Sequence, residues 1–469
     1  MKQLLANLGF LNQMAGIFII LPILVSFIYN ELTSTIALFI AAITFLSLGF
    51  LLNALCERKE LSFQESSSLI VLAFVFLSLI GSIPYMYVNI SSGTIAQNIT
   101  DSIFESASGF TTTGFSIISD LSALPKSLIF YRALTQFIGG IGIVLILLAF
   151  FYPDAKLHDF ARSLGFTKNQ KIKKTFLVIL IFYISYCLVM IGLGVIFGVH
   201  DLITLISFIF SALSTGGFAP LNDITEVVTN SPLYGILIVS MFLGAANFLV
   251  VAGLFKKQVK KFFKSEVSFY LLLIISCIII TSLFFKLSLS DSAFHIMSVM
   301  TTTGFSYLSI SNFSESFKLF LVVLMFIGGT SLSTAGGIKI FRIVLFFKVL
   351  RKTVAESITK KDTTLMVFGK EYSNKDIIQS LVIILLMGVT VVCSAILVSG
   401  YGFSAVDSLF ETTSAVATTG LSVGIVGPTL ASELKWLFIV LMILGRVEIF
   451  SFLIMLSRKK TQLHTNEAK

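Results

Sequence analysis

The sequence predicts an all-α integral membrane protein: four tandem membrane–pore-loop–membrane repeats around a central pore, preceded by two extra N-terminal transmembrane helices. Three observations carry that prediction. Hydrophobic residues make up 56% of the 469 and charged residues only 12%, against roughly 25% charged in a soluble globular chain. Too little polar surface remains to coat a water-exposed globule. Ten apolar runs approach or exceed the ~20 residues a spanning helix needs. Between the later runs, one short motif recurs four times.

The runs lie at about 9–30, 34–56, 66–88, 126–152, 174–198, 233–255, 266–286, 317–348, 376–400 and 434–457. The first has no small-residue cleavage site and leads at once into the second, so it reads as a retained helix and not a removed signal. The net charge of +9 sits in short loops between runs, a distribution of membrane topology and not of a nucleic-acid-binding face. Lys156, Arg162, Lys168, Lys171, Lys173 and Lys174 share one loop. Lys256, Lys257, Lys260, Lys261 and Lys264 share another, and Lys348 to Lys375 and Arg458 to Lys460 mark two more. The alternate loops 199–232 and 401–433 carry neither Lys nor Arg. Both termini are therefore expected on the cytoplasmic side. Cys56, Cys187, Cys277 and Cys393 are not spaced for a metal site or a disulfide framework.

The repeat appears when four segments are set on one glycine: Asp101–Phe115 (DSIFESASGFTTTGF), Thr204–Phe218 (TLISFIFSALSTGGF), Asp291–Phe305 (DSAFHIMSVMTTTGF) and Asp407–Leu421 (DSLFETTSAVATTGL). Two positions before Gly114, Gly217, Gly304 and Gly420 stands a threonine: Thr112, Thr215, Thr302 and Thr418. Six before stands a serine: Ser108, Ser211, Ser298 and Ser414. Each segment falls between two apolar runs on the external side. The unit is a helix, a short half-helix, a T-x-G loop and a second helix. It divides the chain into an N-terminal helix pair (1–65) and repeats at 66–165, 166–264, 265–362 and 363–469.

An ion crossing a bilayer must exchange its water for fixed oxygens, and rings of backbone carbonyls supply them. Glycine reaches backbone angles that turn successive carbonyls toward one axis, and threonine adds a hydroxyl and stiff packing. The expected filter is Thr112, Thr113 and Gly114; Thr215, Gly216 and Gly217; Thr302, Thr303 and Gly304; and Thr418, Thr419 and Gly420. Non-helical backbone at membrane depth is tolerated only against water or protein. The negative ends of four half-helices facing the loops favour a cation, with potassium the expected ion. Glycine at the middle position of the second loop predicts a weaker oxygen set there.

Nine residues before the reference glycines stand Glu105, Glu411 and, in the third copy, His295. They either collect cations at the mouth or hold the loops from behind. The eighth run is interrupted by GGTSLSTAGGIK (Gly328–Lys339), whose glycines and hydroxyl residues do not continue a helix. It reads as a gate involving Gly328, Gly329, Gly336 and Gly337, or else as a packing kink. Arg446 lies mid-run, where a charge costs about 2.5–3.5 kcal/mol on insertion scales and must face protein or water. It is expected to act as a barrier to cations, to pair with Glu448, or to bind the Gly328–Gly337 loop. Gly139, Gly140 and Gly142 suit close helix packing. No residue pattern suggests a role for Arg132.

The T-x-G loops, the STAGGIK segment (Ser333–Lys339), GGIGI (Gly139–Ile143) and GRVEIF (Gly445–Phe450) together resemble the Trk/Ktr/HKT superfamily of potassium transporters, and the two extra helices are similar to those of bacterial Trk-type membrane subunits. The resemblance covers nearly the whole chain. It implies a potassium filter at the four loops, and an intramembrane gate at Gly328–Gly337 to which Arg446 contributes. It also implies a homodimer with one pore per protomer in the lipid of a bacterial inner membrane, and a TrkA-like cytoplasmic nucleotide-binding ring that regulates opening. In that family, serine in place of the first filter glycine goes with sodium; glycine at all four positions here implies potassium. The gating loop mixes features of two branches of the superfamily, which leaves the regulatory partner open. No organic cofactor and no nucleic acid is expected. Gated, channel-like uptake is the leading function. The alternative is a secondary transporter coupling potassium to sodium or protons, for which Glu448 is the one candidate carboxylate. An enzyme is not expected, since no nucleophile–base set, metal-ligand cluster or phosphate-binding glycine loop is present.

Overall fold

A computed structural model of the chain describes residues 2–55, 61, 63–91, 93–141, 172–229, 232–255, 259–359, 365–368, 370–372 and 374–456. Of the expected basic loop at 153–174, the last three residues begin the helix Ile172–Ile196; the rest of that loop, Gly142, the boundary between the first two repeats and the basic tail lie outside these residues. The described elements are helical apart from one hairpin, Met366–Val367 with Lys370–Glu371. The all-α membrane architecture read from composition is the one observed. Among the described residues, six helices are long and apolar enough to cross a membrane, or up to seven if the bent pair Leu233–Ala245 and Phe248–Leu254 is one span.

Three of the remaining apolar runs are divided, for identifiable reasons; of the run at 126–152 only Lys126–Ile141 is described. The run at 233–255 bends by 113°, where Asn247 folds its side-chain oxygen onto the Leu249 and Val250 amides and starts a new helix. The run at 317–348 stops at Ile327, where Gly328 takes φ of +69°, and restarts at Ile340. The last run breaks at Glu448, φ +61°, into Ser432–Val447 and Ile449–Leu456. Only the third-repeat break was legible beforehand.

Each successive unit contains an outer helix, a half-helix, a T-x-G loop and an inner helix. The outer helices are Phe63–Gly81, Ile172–Ile196, Glu266–Phe284 and Asn374–Ser399; the half-helices are Ile95–Phe110, Leu202–Leu213, Leu289–Met300 and Ala405–Val416. The inner helices begin at Lys126, Leu233, Glu315 and Ser432. Each half-helix starts on a side-chain cap that satisfies a free amide: Thr94 on Gln97, Asp201 on Ile203 and Thr204, Ser288 on Asp291, and Ser404 on Asp407. Three of the four motif segments begin with aspartate (Asp101, Asp291 and Asp407), which the caps explain in two copies. Asp291 and Asp407 stand in the first turn, where their charge favours the positive helix end.

Outer helices turn apolar stripes outward, as lipid requires. Leu177, Ile181, Ile184 and Leu188 are exposed at helical spacing in the second unit, and Leu272, Ile275, Ile279 and Leu283 in the third. The most apolar 18-residue windows of the last three outer helices are 28%, 28% and 33% buried, whereas that of the first is 67% buried. The N-terminal helices Lys2–Phe18 and Leu32–Leu55 cover it. Glu31, between them, also accepts hydrogen bonds from the amides of Lys126 (2.7 Å) and Ser127 (3.0 Å), capping the first inner helix.

Neighbouring units are tied by side chains that run from one inner helix to the next half-helix. Lys126 faces Asp201 across 3.6 Å at the surface, Tyr234 donates to the Ser290 carbonyl (2.7 Å), and Lys318 meets Asp407 (2.8 Å). Buried Lys435 closes the circle on Asp101 of the first unit (2.6 Å). The circle fixes four half-helix ends around one axis.

Candidate functional site

The backbone after each half-helix repeats itself. Thr112, Thr215, Thr302 and Thr418 take φ of +55°, +54°, +54° and +50°, a left-handed conformation that a β-branched residue avoids. Strain of this kind persists only where the surroundings impose it. Here each of these threonines donates its N–H back into the half-helix, to the carbonyls of Gly109, Ala212, Val299 and Ala415 at 3.0–3.1 Å. The next amide donates to the recurrent serine carbonyl: Thr113 to Ser108 (3.0 Å), Gly216 to Ser211 (2.8 Å), Thr303 to Ser298 (2.9 Å) and Thr419 to Ser414 (2.8 Å). A trans peptide points its C=O opposite to its N–H. Two successive amides turned into the helix therefore turn the paired carbonyls away from it.

The loops close on one another. A Cβ built on Gly114 would lie 2.0 Å from the Gly216 carbonyl oxygen; on Gly217, 1.9 Å from that of Thr303; on Gly304, 1.8 Å from that of Thr419; and on Gly420, 1.9 Å from that of Thr113. The order first–second–third–fourth–first is a ring. Glycine is required twice over, since these residues also have φ of +77° to +90°. All twelve residues picked out from the sequence come together here. A cavity of about 400 Å³, lined partly by Gly217, Gly304, Gly420 and Asn222, opens over one end of the ring.

Three of the four half-helix ends are seated on an inner helix. A Cβ on Gly139, Gly244 or Gly445 would lie 2.1–2.4 Å from the last carbonyl of the half-helix before it. In the third unit Tyr270 holds that carbonyl instead, donating to Met300 at 2.6 Å. The conformation is braced from behind, and here the sequence reading is refined. Glu105 and Glu411 are fully buried, so they do not form a mouth. Glu105 accepts from Ser116 Oγ and the Ile117 amide; Glu411 accepts from Ser422 Oγ and the amides of Val423 and Val426. His295, also buried, bonds the Asp291 carbonyl through Nδ1 and packs on Tyr307. Arg132, to which the sequence assigned nothing, pairs with Glu105 (2.8 Å), donates to the Ala219 carbonyl (3.0 Å) and lies 4.1 Å over the Phe218 ring. Removing one partner of such a buried pair costs roughly 3–5 kcal/mol. Glu105→Ala should therefore lower the unfolding midpoint in detergent far more than Glu433→Ala, on an exposed helix end; equal midpoints would mean the pair holds nothing.

At the other end of the ring lies the interrupted inner helix. The Gly336 amide donates to Thr302 Oγ1 (2.7 Å), and a Cβ on Gly336 would lie 2.1 Å from the Ala417 carbonyl. Thr334 donates through its hydroxyl to the carbonyls of Leu213 (3.0 Å) and Gly244 (2.9 Å), and Thr330 to that of Ala245 (2.8 Å). Gly328 and Gly337 press together, each leaving no room for a side chain on the other, and Gly329 lies against Ala335. Arg446 donates to the Thr334 carbonyl (2.8 Å) and to the carbonyls of Gly139 and Gly140. The segment thus meets the second, third and fourth units directly and is bridged to the first by Arg446, which places it across the axis under the ring. Arg446 does not pair with Glu448, which is held by Arg342 at 2.9 Å. Buried Glu266 grips the segment from another side, accepting from the Ser331 amide (2.8 Å) and hydroxyl (2.5 Å). The sequence shows no motif around Glu266 or Arg342; a charge at the edge of an apolar run was the available signal.

The buried hydroxyls of Thr112, Thr418 and Thr419 have no hydrogen-bond partner among the described residues. Together with the carbonyl ring, they present oxygen only, suited to a monovalent cation stripped of water.

The sequence profile of the TrkH family, described as a cation transport protein, matches residues 34–290 and 278–465. Among similar proteins are an uncharacterized cation transporter of Methanocaldococcus jannaschii, 30% identical over 97% of this chain and 95% of the relative, and the Trk system potassium uptake protein TrkH of Halomonas elongata, 28% identical over 97% and 98%. The crystal structure of the potassium transporter TrkH from Vibrio parahaemolyticus matches with a TM-score of 0.84 at 22% identity, over 97% of this chain and 98% of that one, a likeness of fold.

Proposed function

The chain belongs to the TrkH family of cation transport proteins, and from that premise we propose that it carries potassium into the cell through a selective, gated, channel-like pore. One observation carries the proposal: four T-x-G loops form a closed ring in which every glycine abuts the next loop's carbonyl oxygen. Backbone oxygens held in this way match the hydration shell of a large monovalent ion better than that of a smaller one. In this reading residues 112–114, 215–217, 302–304 and 418–420 are the filter of the four repeats. Gly328, Gly329, Gly336 and Gly337 form the gate, and Arg446 latches it.

The potassium uptake proteins among its relatives support the choice of ion. We place it in a bacterial inner membrane, and the alternation of basic and Lys/Arg-free loops supports both termini on the cytoplasmic side. The basic face holding Lys260, Lys261 and Lys264 suits a TrkA-like cytoplasmic regulatory subunit, and a homodimer with one pore per protomer accompanies that assembly. Coupled symport is disfavoured because Glu448, the one carboxylate considered for it, is neutralised by Arg342. We assign no enzymatic role.

Purified protein in liposomes, with potassium, rubidium, sodium and lithium imposed as gradients, tests this. Potassium and rubidium flux well above sodium, reversing at the potassium equilibrium potential, is the expected result. A reversal potential displaced by a sodium or proton gradient would establish coupling instead, and equal flux of all four ions would overturn the filter.

A further inference from the structure

The second loop differs from the others in one respect that the ring itself must accommodate. Its middle residue is Gly216, where the other loops have Thr113, Thr303 and Thr419. A Cβ on Gly216 would lie 2.5 Å from Cδ of Gln136, 2.6 Å from its Oε1 and 2.9 Å from its Nε2. The side chain of Gln136, which is fully buried, fills the space that a threonine would take. Its Nε2 donates to the Gly216 carbonyl at 2.6 Å, and its Oε1 accepts from the Phe218 amide at 3.0 Å. The amide orientation follows from its partners: reversed, it would set oxygen against oxygen and N–H against N–H.

The exchange is reciprocal between units. Gln136 stands three residues before Gly139, the glycine on which its half-helix is seated. The same position before Gly244 is Met241 and before Gly445 is Met442, both fully buried. The loop next in the ring after each of those methionines has threonine in the middle, and the loop after Gln136 has glycine. The Gly216 carbonyl is also the one that meets Gly114. The first and second loops therefore touch at an oxygen already engaged by an amide donor.

We propose that Gln136 is the positioning residue that sets ion selectivity at the second loop: its amide replaces the missing threonine, fixes the backbone on both sides of Gly217, and engages one oxygen of the ring, which is thereby a weaker ion ligand than its three counterparts. The proposal rests on the reading of the T-x-G loops as the filter. It also recasts the weak oxygen set expected from Gly216: the weakening comes from Gln136 on a different helix, not from the lack of a side chain alone.

Three variants in liposomes test it, with potassium and sodium flux measured on protein matched for folded amount by gel filtration and thermal unfolding. Gln136→Met should lower the potassium-to-sodium ratio about tenfold, the size expected when a buried polar contact is left unmade. Gly216→Thr should lose transport, because its side chain overlaps the amide. The double variant Gln136→Met/Gly216→Thr, which copies the pairing of the other units, should regain both flux and selectivity; a packing role for Gln136 would move stability but not the ratio. Gln136→Met with an unaltered ratio, Gly216→Thr that transports normally, or a double variant no better than Gly216→Thr alone would each overturn the proposal. Should Gln136→Met fail to fold, the double variant decides by the same criteria. Gly114→Ser, run alongside, separates the two readings: a lost ratio there with Gln136 variants unchanged would leave the filter standing and remove Gln136 from it.

Discussion

Gly114→Ser is expected to cut the potassium-to-sodium flux ratio by at least about tenfold, which corresponds to roughly 1.4 kcal/mol of discrimination. Two independent costs fall on this one position. The backbone has φ of +90°, a conformation that costs a side-chain-bearing residue about 1–3 kcal/mol. The new Cβ would also sit 2.0 Å from the Gly216 oxygen, far inside contact distance, so the two loops must move apart or rotate. Neither loop moves alone. Gly216 is bonded to Gln136, Gln136 to Phe218, and Arg132 lies on the Phe218 ring. The displaced carbonyl belongs to the proposed filter, so the substitution is expected to alter the distances that distinguish one ion from another and not merely the rate. Alanine at the same position should act likewise, because the Cβ carries the effect. A wild-type ratio in Gly114→Ser, at wild-type flux, would mean that ions do not pass this ring.

The ring was legible in the sequence because it is local. A half-helix, its capping residue, a turn and a glycine lie within about twenty residues, and their recurrence in four copies exposes the pattern. The serine six positions before the glycine was visible as a repeat, but its use was not. In three copies its buried hydroxyl has no hydrogen-bond partner among the described residues, and in the third it bonds the Phe305 carbonyl; what all four share is the backbone carbonyl. The braces were not legible, since they join residues far apart: Lys435 with Asp101, Arg132 with Ala219, Glu266 with Ser331. Sequence spacing carries no information about such pairs. Arg446 shows the intermediate case. Its depth demanded a partner and the candidates could be named, but only the fold decides between the adjacent Glu448 and a carbonyl more than a hundred residues away. Glu448 at φ +61° turns away into the second part of the inner helix, where Arg342 takes it up.

Arg446→Gln is expected to raise potassium flux through partner-free protein by about tenfold or more while leaving the potassium-to-sodium ratio unchanged. The guanidinium links the Thr334 carbonyl to the carbonyls of Gly139 and Gly140. Hydrogen bonds to a charged group contribute roughly 1.5–3 kcal/mol each, so losing even one of them in the closed state favours opening by the required amount. The other anchors, Thr334 on Leu213 and Gly244, Gly336 on Thr302, and Ser331 on Glu266, remain in the variant. They keep the segment near the axis, and the outcome is a shifted equilibrium and not a missing plug. Arg446→Lys should fall between, since an ammonium keeps the charge but lacks the planar fork that spans two inner helices. The unchanged ion ratio matters as much as the raised flux. Among the described residues, Arg446's hydrogen bonds go to Thr334, Gly139 and Gly140 and not to the proposed filter, so a variant that altered selectivity would place the arginine's influence in the ring. Reduced flux with intact folding would mean that Arg446 supports the open pore and does not latch the closed one.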